Sequence, residues 1–495
     1  MKHLRLKTIM ALCLSMILIM GNATCVMAQQ QSFEKTEITI SNVKEFNAFA
    51  NNVNNGNTYA GKIIRLVEDI DFTGTSFKRM TKEFAGIFDG GGYSLNGISL
   101  VESYNAAIFD TITGTVRNVV VRDSEITSTA TNKYIYVATI ANNNRGVIEN
   151  CISYATVLSS NDSAQNDIFI YVAGIASNNY GVIINCGNMG SITIAKKGGN
   201  IGGIAAYNEG EIINCYNQGK ITSKLTSGGI VGGNGGGSAA IINCYNTGTA
   251  TSGIVVGAGT GNVVSCYYLE DASEVGSENG TFSASNVKAM SQSEMSSTSF
   301  VNTLNAGVKN NAGSREWVAG ALYPEHVKYY EITFEKDYTA GTIASSDSYA
   351  AKGNKVTLKT KPGDKYYTKA LTVNTAEGIS VAVSGSGNSY SFIMPGDNVV
   401  VSAVFAKLAI PTGVKFTKSD KTLKWSNVED ATGYEVYRST SASKGFALIK
   451  NISNATTLKY TDSKANGGTT YYYKVRAYIE VKGEKIYSSL STAVK

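Results

Sequence analysis

A chain of 495 residues has room for several domains, and 51 glycines beside only four prolines imply many tight turns and exclude a Pro-rich stalk. The formal charge of +6 is uneven: Gln29 to Val327 holds 18 basic against 24 acidic residues (−6), whereas Lys407 to Lys495 holds 15 against 7 (+8). The long acidic part argues against nucleic acid as the main partner, because phosphate binding needs a concentrated basic face.

The chain starts with Lys2, Arg5 and Lys7, then the apolar run Ile9 to Met20, then Val26-Met27-Ala28. That order is a secretory signal, residues 1–28. The run is shorter than the roughly 20 residues a spanning helix needs, and no later stretch reaches that length. Asn22-Ala23-Thr24 suits a lipobox at Cys25 poorly, and Ser491 to Lys495 offers no wall-sorting signal. A secreted, monomeric chain without a membrane span, loosely wall-associated at most, is the expectation.

Next comes Asn42-x-x-Glu45, a capping-box pattern, with Phe46, Phe49, Ala50 and Val53 on one helical stripe. These residues predict an N-terminal cap helix. The segment Lys62 to Gly97 then gathers Glu68, Asp69, Asp71 and Asp89 near Arg65 and Lys78. A polysaccharide lyase or glycosidase needs clustered carboxylates, paired or around calcium, so Asp69, Asp71 and Asp89 are the candidate catalytic residues. The competing assignment, aspartates that bond their own backbone in turns, takes precedence.

Internal repetition dominates the middle of the chain. Val172 to Thr193 reads VAGIASNNYGVIINCGNMGSIT and Ile201 to Thr222 reads IGGIAAYNEGEIINCYNQGKIT. Val137 to Val157 and the stretch from Gly228 follow the same template, and a weaker copy ends at Ser265-Cys266. Short β-runs separated by Asn-Gly and Gly-Gly turns predict one solenoid coil per repeat, with about three runs in each. Ile148, Ile183, Ile212 and Ile241, with Val264, are expected to stack inward, and Asn150, Asn185, Asn214 and Asn243 to form left-handed bends whose amides pair from copy to copy. Cys151, Cys186, Cys215, Cys244 and Cys266 then point inside. Strand spacing is too wide for disulfides between them, and the pattern is no metal knuckle, so they are read as small buried hydrophobes.

The pattern G-G-I-x-x-x-N-x-G-x-I-x-N-C-Y-N-x-G resembles the GLUG repeat of secreted bacterial proteins. IIRLVEDIDFTG and FAGIFDGGGYSLNGI, within Lys62 to Gly97, are similar to the first coils of such proteins. The resemblance covers about Ile38 to Val327 and implies a right-handed parallel β-helix with capping helices. It leaves activity open, since the repeat occurs in adhesin-like proteins and beside peptidase domains alike. Ser293 to Val308, with Trp317, Leu322 and Tyr323, is expected to close the last coil.

From Lys328 the repeat stops. Residues 328–406 end in YSFIMPGDNVVVSAVF; Phe392, Met394 and Pro395 fit the F-x-M-P of divergent internalin-B-type surface repeats, which this stretch resembles. Residues 407–495 resemble a fibronectin type III domain, an immunoglobulin-like sandwich: Trp425 is placed in its core, Tyr471, Tyr473, Val475 and Ala477 on one face, and Tyr471 at a tyrosine corner.

The expected fold is thus all-β: a capped solenoid (29–327) followed by two small β-domains. His326 is the only histidine after the signal, which leaves no Ser-His-Asp or Cys-His set. No cofactor or metal site is predicted. The favoured function is noncatalytic binding of glycans or cell-surface ligands, with Tyr207, Tyr216, Tyr245 and Tyr267 as binding candidates on ring-stacking grounds. The alternative is a carbohydrate-active enzyme with its site on the first coils.

Overall fold

The computed structural model describes residues 37–130, 134–159, 169–194, 199–223, 227–250, 255–270, 283–335, 338 and 340–495. The signal sequence lies outside the described residues. Two compact units divide between Val327 and Lys328.

In the first unit parallel strands form five sheets, A to E, of ten, nine, seven, five and four strands. One coil shows the path: Phe109–Ile112 in sheet C, Thr115–Arg117 in A, Val120–Arg122 in B, Glu125–Ser128 in D, Tyr134–Ala138 in E, and Ala141–Asn144 back in C. The coil therefore has up to five short strands, where the turn spacing predicts about three. In-register stacking buries Val116, Ile148, Ile183, Ile212, Ile241 and Val263 as one apolar column. Val263, not Val264, continues the column. Ser265 takes the asparagine position and Cys266 keeps its place in the cysteine column, so only the expected valine is off by one residue.

Glycines make the close stacking possible. A Cβ on Gly181 would sit 2.1 Å from the Gly146 carbonyl oxygen, and one on Gly210 would sit 2.0 Å from that of Gly181. Both distances are far inside contact, so no larger residue fits without moving a coil.

Helix Val43–Asn54 covers the N-terminal coils and buries Phe46, Phe49, Ala50 and Val53, as its stripe predicts. Asn42 accepts from the Glu45 N–H, while the Glu45 carboxylate bonds Ser41 N–H instead of closing the box on Asn42. At the other end, helices Gln292–Met295 and Thr298–Val308 lead into Trp317–Val318 and Glu325–His326. This segment does not plug the last coil. It runs back along the corner between sheets A and B, and Arg315 reaches Asn118, 197 residues earlier.

The second unit is all-β. Its first part pairs a five-stranded and a four-stranded sheet around Ile332, Val356, Leu358, Val373, Phe392, Met394 and Val401. Its second part packs three strands (Lys415–Thr417, Thr422–Lys424, Lys459–Thr461) against four (Ala447–Ile452, Gly433–Ser439, Tyr472–Val481, Glu484–Tyr487). Leu423, Trp425, Tyr434, Tyr473 and Val475 lie in the core between them. Tyr473, not Tyr471, is buried with its hydroxyl bonded back to Asp462. Tyr471 is half-buried under the Arg438 guanidinium.

Candidate functional site

The corner between sheets A and B fixes where chemistry is possible. Asn118, Asn150, Asn185, Asn214 and Asn243 all have φ of 55–57°, the left-handed region asparagine tolerates. Their amides form one ladder, each donating to the copy before it, from Asn243 down to Asn118. Asn118 in turn donates to the Asp89 carboxylate. The five cysteines beside them are fully buried and unpaired as disulfides, as their spacing predicts. They are not merely hydrophobic. The backbone N–H groups of Cys151, Cys186 and Cys215 each donate to the sulfur of the next coil's cysteine at 3.3–3.4 Å. Each thiol points towards the carbonyl two residues before it. The sharp bend turns that N–H away from the ordinary ladder, and sulfur supplies the missing acceptor.

The first-coil acids are occupied structurally. Asp69 accepts from Ser94 N–H, and Asp71 from Thr73 N–H, a local turn. Asp89 is wholly buried on the sheet A corner, with Arg117 at 2.9 Å and Arg65 at 3.5 Å. Burial pushes its carboxyl up, but the two arginines overcome this and hold it below the ordinary range. None of the bonds described joins the three aspartates into a catalytic pair. Among the described residues no group of three or more His, Cys, Asp or Glu could hold a metal ion. His326 stacks on Trp317 and bonds the Asn214 carbonyl; burial, with Arg315 nearby, drops its pKa to about 3, so it stays neutral.

Three of the four candidate tyrosines are corrected by the same flank. Tyr216, Tyr245 and Tyr267 are at most 3% exposed, packed against Trp317, Phe300 and Leu304. Tyr216 and Tyr245 stack at 5.5 Å, and the Tyr245 hydroxyl bonds the Pro324 carbonyl. They form a second small core and face no solvent. Only the later segment reveals this, because a repeat read by itself leaves their side of the coil open.

Tyr207 is different. It lies on the outward face of sheet C, aligned with Asn178 before it and Gly233 after it. A Cβ on Gly235 would meet its hydroxyl at 2.2 Å, and one on Gly233 would meet its ring at 3.0 Å. The ring is thus laid along the solenoid over two glycines of the next coil. Its hydroxyl donates to Glu209, and Tyr171 meets it edge-on at 77° and 6.4 Å.

From there an aromatic face continues across sheet E. Tyr171 stacks on Tyr136 at 5.2 Å, and Phe169 stacks on Tyr134 at 5.6 Å. Phe169 and Tyr134 are 51% and 54% exposed. Burial, with the neighbouring tyrosines, raises the phenols of Tyr136 and Tyr171 above their ordinary value. Asn143 and Asn178 are bonded side by side on the adjoining outward face of sheet C. The exposed rings of Tyr134 and Phe169 thus lie on a face that adjoins the Asn143 amide, while Asn178 is itself buried. The sequence carried its signal as alternating aromatics in YIYVA and FIYVA, Tyr134–Ala138 and Phe169–Ala173.

Residues 197–222 match the family described as the GLUG motif. Among solved structures, the chain is similar to a "putative immunoglobulin A1 protease" from Bacteroides ovatus, at 20% identity and a TM-score of 0.43, over 58% of this chain and 91% of that one. It is also similar to the FN1-FN3 domains of chicken CNTN1, at 15% identity and a TM-score of 0.15, over 31% of this chain and 63% of that one. The chain thus spans just under two thirds of the latter structure. No curated protein matches it.

Proposed function

We propose that this is a secreted, noncatalytic, monomeric binding protein that holds a neutral glycan on the outward face of sheets C and E. The solenoid serves as the display surface, and the two C-terminal parts, an internalin-B-like repeat and a fibronectin type III domain, act as spacers. The observation that carries the reading is the half-buried Tyr207 ring, which lies against Gly233 and Gly235 of the next coil with Glu209 at its hydroxyl and Asn200 beside Gly233. A pyranose stacks its C–H face on such a ring while amides and a carboxylate take its hydroxyls. The acidic balance of residues 29–327 favours an uncharged polymer over a polyanion. A lyase or glycosidase on the first coils has no support, because Asp89 is sealed by two arginines, Asp69 holds the Ser94 N–H of the next coil and Asp71 holds a local turn.

The test is affinity electrophoresis of the full chain against a panel of neutral polysaccharides, with reducing-end release measured in parallel. At least one polymer should retard the protein without being cleaved. Tyr207→Ala should weaken that binding by about ten- to a hundredfold, the value of one ring-stacking contact. Unchanged binding by Tyr207→Ala, or cleavage abolished by Asp89→Asn, would overturn the proposal.

A further inference from the structure

The second unit carries a surface the solenoid reading does not use. On the outer face of its four-stranded sheet, Glu435 is 4% exposed and accepts from both Nε and Nη2 of Arg476, at 2.9 and 2.8 Å. The hydroxyls of Tyr437 and Tyr487 also donate to it, at 2.7 and 3.2 Å. The Arg476 guanidinium lies over both rings, 5.2 Å from Tyr437 and 3.6 Å from Tyr487. Beside it Lys485 sits over the Tyr478 ring at 4.0 Å, and Lys474 over Phe446 at 4.6 Å.

Three cations are therefore held in fixed places by rings, against one buried carboxylate. The same sign prevails around them. Of the seven acids in residues 407–495, Glu435 and Asp462 pair with arginines of that stretch, and Glu429 and Asp430 with Lys369. Three remain to set against the excess of lysine. Glu435 orders Arg476 and the two tyrosines and lies 3.9 Å from the Lys485 ammonium, so a single carboxylate is shared among these cations. A soluble spacer needs lysines in water; it does not need them seated on aromatic rings along adjacent strands.

We infer that this face binds an acidic polysaccharide, specifically a polyuronate chain. The half-buried rings of Tyr437, Tyr487 and Phe446 lie beside the three cations, which matches a polymer with one carboxylate on each sugar. Leu448, 49% exposed and paired with Tyr437 across the sheet, extends the apolar part. A polyphosphate offers the charge and lacks the rings.

The experiment uses the full chain and measures binding of polygalacturonate, polyphosphate and a neutral galactan over a range of salt. Wild type should bind polygalacturonate best, with affinity falling as salt rises. The double variant Lys474→Gln/Lys485→Gln should bind it about tenfold more weakly and with a shallower salt slope. Lys474→Arg/Lys485→Arg should stay within about twofold of wild type. Tyr207→Ala should leave polygalacturonate binding intact, which separates this site from the solenoid face. Wild-type affinity in the glutamine variant, no binding by wild type, or equal affinity for polyphosphate would overturn the inference.

Discussion

Replacing Asn214 tests whether the corner ladder stabilises the solenoid or only decorates it. Its side chain accepts from Asn243 at 2.7 Å and from the Trp317 indole at 2.6 Å, and donates to Asn185 at 2.7 Å and to the Arg315 carbonyl at 2.9 Å. In Asn214→Ala, Asn243 keeps its bond to the Leu304 carbonyl, and Asn185 still accepts from Arg315 N–H. The buried indole N–H loses the acceptor described here. One or two desolvated groups at about 1–3 kcal/mol each, plus about 1–2 kcal/mol for alanine at a left-handed φ, give a loss near 4 kcal/mol. Asn214→Gly forfeits the same bonds without the backbone penalty, so it should be milder by about 1 kcal/mol. Trp317 is one of only two tryptophans. Denaturant unfolding followed by its emission in a Trp425→Phe background therefore reads the first unit. Losses below about 1 kcal/mol in both variants, or alanine no worse than glycine, would refute the reasoning.

Cys215→Ser and Cys215→Ala should each cost about 1–3 kcal/mol. Alanine should be no cheaper, because it strips the Cys186 N–H of its acceptor; a purely hydrophobic thiol would give the opposite order. All five described cysteines should resist a thiol reagent until the first unit is denatured. Asp89→Asn should destabilise that unit by about 2–4 kcal/mol at pH 7, since it leaves two arginines facing a neutral group. The Asp89 carboxyl is depressed in the fold, so its contribution is full above the unfolded value of about 3.9 and is lost as pH falls further. The gap between wild type and variant, followed by chemical denaturation, should therefore close below about pH 4; a gap unchanged there would contradict the assignment. Trp425→Ala should cost about 3–5 kcal/mol and lower the melting of the second unit alone.

What the sequence disclosed follows from what is periodic. The isoleucine column, the left-handed asparagines and the inward cysteines recur at fixed offsets, so stacking identical copies decides their places. Val264 is one residue off because the last copy offers two adjacent valines, and alternation puts only Val263 inside while Cys266 keeps its column. The burial of Tyr216, Tyr245 and Tyr267 was not legible, because their partners lie in a single, unrepeated segment up to about a hundred residues away. The sulfur–amide bonds were missed for another reason: they arise from the bend's geometry, which puts the cysteine N–H where only the next sulfur can reach it. Tyr207 was legible as a residue, but its support was not, because Gly233 and Gly235 look like ordinary turn glycines until register places them under the ring.

The segment that lies along the asparagine corner also has a mechanical consequence. A stack of coils held only by neighbour contacts unwinds from its free end, one turn at a time. Here Arg315 is tied to Asn118 and Asn185, and Trp317 to Asn214, so one strand of chain stitches several coils together. That stitch ends at Val327, where the first unit ends. Tension applied through the second unit reaches the stitch before it reaches any coil. The thread must be torn out, with Trp317 drawn from its aromatic bed, before the first turn can unwind. Rupture should then occur at one high force instead of a series of small steps.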